Sequence, residues 1–161
     1  MSMPRLTVVS GGQTGVDRGA LRAALDRDAP CGGWCPEGRL AEDGTIPAVY
    51  PVRPLPGGGY AARTRRNVED SDGTAIVYNG DLEGGTRLTV TACEAASKPR
   101  VLIDTRVLGQ PEAVQALLAF IARNDIRTLN VAGPRASKWP EAHDVALSLL
   151  SAVLAELESA A

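Results

Sequence analysis

Leu6-Thr7-Val8-Val9-Ser10 runs straight into Gly11-Gly12-Gln13-Thr14-Gly15, and then into Val16, Ala20, Leu21, Ala24 and Leu25 at helical spacing. A short β-branched run, a glycine-rich turn and an amphipathic helix, in that order, open a β-α unit. The pattern recurs. Thr74-Ala75-Ile76-Val77-Tyr78, Arg100-Val101-Leu102-Ile103-Asp104 and Thr128-Leu129-Asn130-Val131-Ala132 read as further strands. They are apolar on consecutive positions rather than alternating, as strands covered on both faces are. The spacing predicts helices over about 15–25, 85–96 and 111–123, the last with Pro111 at a favoured first position and Val114, Leu117, Leu118 and Ile121 on one stripe. A final helix begins near Pro140 and sets Ala146, Leu150, Val153 and Leu157 on one side. Strand–helix alternation of this kind implies parallel strands joined by right-handed crossovers. The expected fold is α/β: a Rossmann-like, three-layer α/β/α arrangement with a mostly parallel sheet.

A chain of 161 residues suits one domain, expected over 1–161. At that size about 70% of the unfolded surface can be buried, so no disulfide or metal staple is required. The formal net charge of −2 argues against a nucleic-acid binder, which normally carries a basic excess or face. Aromatic residues are only 4%, so the core has to be aliphatic and alanine-rich. The weakly polar stretch from Val145 to Ala155 is broken by serines and too short to span a bilayer, so no membrane association is expected. Met1-Ser2-Met3-Pro4-Arg5 has no basic lead-in followed by an apolar run, so no signal peptide is expected. Three cysteines, an odd number, then point to reduced thiols and a cytoplasmic location. The Gly- and Pro-dense segment 30–59 interrupts the rhythm and reads as irregular, with one short strand near Gly33-Trp34-Cys35. Long loops inside a compact domain are more often functional than accidental.

In open parallel sheets, ligands bind beyond the carboxyl ends of the strands. Three strands here lead into small, flexible or hydroxyl-bearing turns: Gly11 to Gly15, Asn79-Gly80-Asp81-Leu82-Glu83-Gly84-Gly85-Thr86, and Gly133-Pro134-Arg135-Ala136-Ser137. Glycine admits a close ligand, and helix N-termini present unpaired N–H groups and partial positive charge. Together the turns make a cradle for phosphate or another oxyanion, with Gly11, Gly12, Gln13, Thr14, Gly15, Gly84, Gly85, Thr86, Gly133, Arg135 and Ser137 as candidate ligand contacts. The first turn matches neither the dinucleotide fingerprint nor the Walker A pattern. The plainer alternative is that such turns only cap helices and close tight loops.

Arg63 and Arg66 share a face if their segment is helical, so both can reach one anion; the alternative is a solvated face with Arg–Glu pairs. Asp17 and Arg18 are either ligand contacts or a first-turn acid with its neighbour. His143 has no partner that would make a dyad, and Cys31 and Cys35 stand four apart with no second pair, so no zinc site is expected. Cys93 reads as a buried, inert thiol. Glu37, Glu42 and Asp43 either supply an acid to a reaction or are solvated. No catalytic residue and no metal ligand is assigned; composition and spacing support an anionic or nucleotide-like ligand.

Several blocks carry a family resemblance: Gly11-Gly12-Gln13-Thr14-Gly15-Val16-Asp17-Arg18, Ala41-Glu42-Asp43-Gly44-Thr45-Ile46-Pro47, Arg63-Thr64-Arg65-Arg66-Asn67-Val68, Ser71-Asp72-Gly73-Thr74, Gly84-Gly85-Thr86, and Leu129-Asn130-Val131-Ala132-Gly133-Pro134-Arg135. In this collinear order the chain resembles the molybdenum cofactor carrier family. That family sits within the Rossmann-like superfamily that includes the Lonely Guy cytokinin-activating hydrolases, once described as lysine decarboxylases. The resemblance implies a homo-oligomer, dimer or tetramer, that binds, protects and stores or transfers molybdenum cofactor (molybdopterin, a phosphorylated pterin) or a related nucleotide or phosphate. A molybdoenzyme would be the recipient. It implies a phosphate on the N–H groups of Gly12 to Gly15, or of Gly85 and Thr86, with the Thr14 and Thr86 hydroxyls and an arginine as further donors. The ring would lie against Trp34 or Trp139, unless both are packing residues, and the final helix could pack against a twin as easily as against its own sheet.

The Lonely Guy enzymes cleave a nucleotide N-glycosidic bond with a Pro-Gly-Gly-x-Gly-Thr motif followed closely by Glu. The similar segment here is Glu83-Gly84-Gly85-Thr86-Arg87-Leu88-Thr89, and the nearest following acid is Glu94. That departure speaks against hydrolase activity and for a carrier rather than an enzyme. Arg65 or Arg66 is similar to that group's phosphate-handling arginine. The alternatives are a nucleoside-monophosphate N-glycosidase, that is, a nucleotide phosphoribohydrolase-like enzyme, and a nucleotide-binding sensor.

Overall fold

The computed structural model describes residues 5–160. In chain order its elements are β1 (Thr7–Val9), α1 (Val16–Asp26), β2 (Cys31–Gly32), β3 (Trp34–Cys35), β4 (Leu40–Ala41), β5 (Gly44–Thr45), β6 (Arg53–Pro54), α2 (Tyr60–Glu69), β7 (Gly73–Tyr78), α3 (Gly84–Ala96), β8 (Arg100–Asp104), α4 (Gln110–Arg123), β9 (Thr128–Ala132) and α5 (Ala142–Ala160). Five strands form one parallel sheet in the order β2-β1-β9-β7-β8. Every residue of β7 is buried, which accounts for its unbroken apolar run. Helices α1, α4 and α5 pack together, while α2 and α3 pack as a separate pair. The fold class read from the sequence is the one observed.

The alanine-rich core expected from the scarcity of aromatics is concentrated where α1 crosses α5. Ala20, Ala23 and Ala24 meet an α5 face of Ala142, Ala146, Leu149, Leu150 and Val153, all buried. The backbones come so close that a Cβ on Gly19 would stand 2.3 Å from the carbonyl of His143. The apolar stripe of α5 is therefore covered within the chain, by α1 and α4, rather than left for a twin.

Two expectations need correcting. A fifth helix, α2, joins the four placed from the sequence. Its buried positions are Thr64, Asn67 and Val68, so its inner face is largely polar and leaves no apolar stripe to read. Asn67 explains this: its side chain accepts the Trp34 N–H at 2.8 Å and donates to the Trp34 carbonyl at 2.9 Å, pinning α2 to β3. Segment 30–59 is also more ordered than one short strand. β2 joins the main sheet, β3 pairs with β6, and β4 with β5 form a hairpin over a small core of Leu21, Cys35, Ala41, Ile46 and Val52. Arg39 holds the segment by donating to the carbonyls of Ile46, Pro47, Tyr50 and Val52.

Candidate functional site

Because the sheet is parallel, β1, β7, β8 and β9 all release their chains at the same edge, and the turns that follow them converge there. Gly15 shows how tightly. Its φ is +84°, and a Cβ would lie 2.5 Å from the Pro134 carbonyl, so only glycine lets the β1–α1 turn rest against the β9–α5 loop. Beside this junction the β7–α3 and β9–α5 loops diverge, because α3 leaves toward one face and α5 toward the other. A cleft of about 500 Å³ opens between them. This is the crevice where open α/β sheets take their ligands.

The cleft is lined by Gln13 and Asp17 from the first turn and helix, Tyr60, Arg63 and Thr64 from α2, Asn79 and Asp81 to Thr86 except Leu82 from the β7–α3 turn, Arg106 after β8, and Ala132 to Arg135 with Lys138 and Trp139 from the last loop. Four cationic side chains, Arg63, Arg106, Arg135 and Lys138, stand against the acids Asp17, Asp81 and Glu83. The floor is the most buried part. Asp17 accepts the Gln13 N–H at 3.2 Å and faces Arg63 at 3.8 Å, with both side chains largely out of solvent. Burial pushes the Asp17 carboxyl above its ordinary range, opposed by Arg63 and the N–H of Gln13. Arg63 lies across Gly11, where a Cβ would come within 2.4 Å of the guanidinium, and its buried Nε has no hydrogen-bond partner.

Of the candidate contacts, Gln13, Arg63, Gly84, Gly85, Thr86, Gly133 and Arg135 come together in the cleft, whereas Gly11, Gly12, Thr14, Gly15, Arg66 and Ser137 are not part of its lining. The first turn spends its groups elsewhere. The Gln13 N–H goes to Asp17, the Thr14 N–H to the Gln13 side chain at 3.1 Å, and the Val16 N–H to the Pro134 carbonyl at 3.2 Å. The Thr14 and Ser137 hydroxyls both donate to Glu42. At the α3 N-terminus, by contrast, Glu83 supplies no side-chain cap, and a Cβ on Gly84 or Gly85 would meet nothing within 4 Å. Arg66 does not join Arg63 at one anion: it pairs with Asp70 at 3.0 Å and its guanidinium lies 4.8 Å from the centre of the Trp34 ring. Arg65 is exposed and likewise outside the cleft. Trp139 lines the cleft; Trp34 does not.

Other singled-out residues are structural. Arg18 donates to the Gly12 carbonyl at 2.9 Å and forks onto Asp43 at 2.7 and 2.8 Å, which holds the Asp43 carboxyl below its usual range. Asp72 accepts the N–H groups of Arg127 and Thr128 at the opposite end of the sheet. Burial raises the thiols of Cys31, Cys35 and Cys93. The His143 ring hydrogen-bonds its neighbour Asp144 at 3.2 Å. Glu94 pairs with Arg100 at 3.2 Å, ten residues along α3 and about 15 Å from its open end. Among the described residues there is no cluster of three or more potential metal ligands, and no helix is long and apolar enough to cross a membrane.

Arg106, Lys138, Tyr60 and Thr64 line the cleft but were not picked out from the sequence. Arg106 carries a usable signal in the sequence, since it lies two residues beyond the end of β8, at the same edge as the other three turns. Tyr60 and Thr64 depended on recognising α2.

The profile of the "Circularly permutated YpsA SLOG family" matches residues 8–154, and the chain belongs to that family. The strand order displays such a permutation: counted from β7 through β9 to β1 and β2, the sheet reads 2-1-3-4-5, a standard doubly wound order. Among solved structures, the chain is similar to a "Putative molybdenum carrier protein" from Syntrophus aciditrophicus SB, determined at 1.45 Å resolution. The TM-score is 0.91, with 41% sequence identity, over 94% of this chain and 96% of that one. No curated protein matches.

Proposed function

We propose that the chain binds and carries a phosphorylated pterin of the molybdenum cofactor type in the cleft between the β7–α3 and β9–α5 loops. The observation that carries this reading is the open N-terminus of α3, at Gly84 and Gly85, facing a cleft that also holds Arg63, Arg106, Arg135 and Lys138. Helix N-termini and forked guanidinium groups are the two donor types best suited to a phosphate or molybdate oxyanion. Thr86 adds a hydroxyl, and Trp139 offers an aromatic edge for the heterocycle. The size of the cleft suits a ligand of that class. The donor set therefore fits the proposed cargo, and the 41% identical carrier points the same way.

A carrier has to hold its cargo unaltered. The acid nearest in sequence to the Gly84-Gly85-Thr86 block on its C-terminal side, Glu94, is engaged with Arg100 away from the cleft, so the N-glycosidase reading gains nothing from the geometry. We further propose a cytoplasmic homo-oligomer that hands its cargo to a molybdoenzyme; light scattering at micromolar concentration should give a dimer or tetramer. Purified protein mixed with isolated cofactor should slow oxidation of the cofactor. An unchanged cofactor lifetime at saturating protein would contradict the reading.

A further inference from the structure

We propose that Glu42 is an intramolecular oxyanion ligand: its carboxylate fills a donor set built jointly by the β1–α1 and β9–α5 loops and so fixes Arg135 at the rim of the cleft, while its main-chain N–H holds Gln13 there. The donors are Thr14 Oγ1, the Ser137 N–H at 3.2 Å, Ser137 Oγ at 2.5 Å, and Arg135 Nε at 3.6 Å. Two hydroxyls, an amide and a guanidinium converging on one point form the kind of set that receives a phosphate or carboxylate. Here the anion comes from the chain itself, at the turn of the β4–β5 hairpin. The contacts are made twice over. The Glu42 N–H also donates to Gln13 Oε1 at 2.9 Å, the same oxygen that accepts the Thr14 N–H. Thr14 Oγ1 in turn accepts the Ala136 N–H at 3.1 Å, so the two loops are joined through the residues that hold the carboxylate.

Glu42 sits at an exposed hairpin turn, but its carboxylate is turned onto its donors, and it is not a cleft acid. Its side chain is only 21% exposed, and it does not line the cleft. The Ser137 and Thr14 hydroxyls hold its carboxyl below the ordinary range, so it stays an anion. The neighbouring Asp43–Arg18 fork ties the same hairpin to the Gly12 carbonyl, which keeps the carboxylate delivered to its donors. Glu42 thus acts on the cleft only through others, as a positioning residue. What Arg135 and Gln13 are positioned for rests on the proposed anion-binding role; the clasp itself does not.

The test separates the two. Amide hydrogen exchange of residues 133–139 should accelerate by about tenfold or more in Glu42→Ala, the loss expected for charge-assisted bonds, with β7 exchange unchanged. Sodium formate, compared with sodium chloride at equal ionic strength, should restore protection by filling the vacated donor set. Glu42→Gln, which keeps the shape, should lose less protection and gain nothing from formate. Unchanged exchange of 133–139 in both variants, or acceleration in Glu42→Ala that formate does not reverse, would overturn the proposal. Inorganic phosphate titrated into the unmodified protein tests the cleft itself. A protein that shows formate rescue but takes up no phosphate would retain the clasp and lose the anion-binding reading.

Discussion

Two glycine-rich turns of this molecule look alike in the sequence and do different work. Gly11 to Gly15 after β1 and Gly80 to Gly85 after β7 each end a strand, start a helix and point to the same edge of the sheet. The first is nearly all buried, with N–H groups bonded to Asp17, Gln13 and Pro134 and glycines placed where a side chain would strike Arg63 or the neighbouring loop. The second is largely exposed, and its Gly84 and Gly85 have empty space where a Cβ would go. Glycine in the first turn serves loop-on-loop packing; in the second it leaves a helix terminus uncovered. A count of glycines cannot separate these uses. What separates them is whether the glycines at the start of the helix are packed against a neighbouring loop, as Gly15 is, or stand open, as Gly84 and Gly85 do.

The contrast is sharpest in paired glycine variants. Gly15→Ala forces a Cβ against the Pro134 carbonyl in a backbone region that side chains rarely adopt, and should cost about 3 kcal/mol or more in denaturant unfolding. Gly85→Ala meets no neighbour and should leave stability unchanged or raise it by about 0.4–1 kcal/mol. It should nevertheless weaken phosphate binding about tenfold, equivalent to about 1.4 kcal/mol, by occupying the approach to the α3 amides. Equal stability losses in the two variants would erase the distinction between the turns.

The acid side of the pH profile sharpens the comparison further. The folded-state carboxyl of Glu42 is held below its ordinary range by the Ser137 and Thr14 hydroxyls. It therefore contributes stability above that range, and the contribution is lost as pH falls through the lower folded value. Asp17, raised by burial, acts in the opposite sense: its contribution is present at low pH and is lost as pH rises through its folded value. The difference between wild type and Glu42→Gln isolates the first effect. That difference should shrink as the pH is lowered through the ordinary carboxylate range and below it, measured by urea unfolding at each pH. The smallest effect belongs to Glu94→Gln, which touches neither turn. It should shift stability by no more than about 0.5 kcal/mol and leave phosphate binding unchanged, since Glu94 forms only an exposed pair with Arg100.

Most of the fold was legible because buried parallel strands advertise themselves. β8 and β9 fall at the residues their apolar runs mark out, and α1, α3 and α4 start within a residue of the predicted positions. α2 was not, because its inward face is built on Thr64 and Asn67 rather than on apolar residues. Segment 30–59 was obscured for a related reason: its order comes from the Arg39 guanidinium gathering backbone carbonyls, an interaction between distant residues with no local periodicity. For the site, the edge of the sheet and most of the turns could be read, but not the fate of individual groups. Thr14, Ser137 and Glu42 belong to turns and a hairpin far apart in the chain, and only the folded arrangement brings the two hydroxyls onto the carboxylate.

The central claim is that an oxyanion docks at the β7–α3 turn and not at the β1–α1 turn. Backbone amide shifts followed by NMR during titration with inorganic phosphate test it most directly. The account predicts saturable shifts concentrated at Gly84, Gly85 and Thr86, with smaller ones near Arg135 and Lys138 and none beyond background at Thr14 or Val16. Shifts centred on Gly12 to Gly15, or no saturable shift at Gly84 to Thr86, would contradict it.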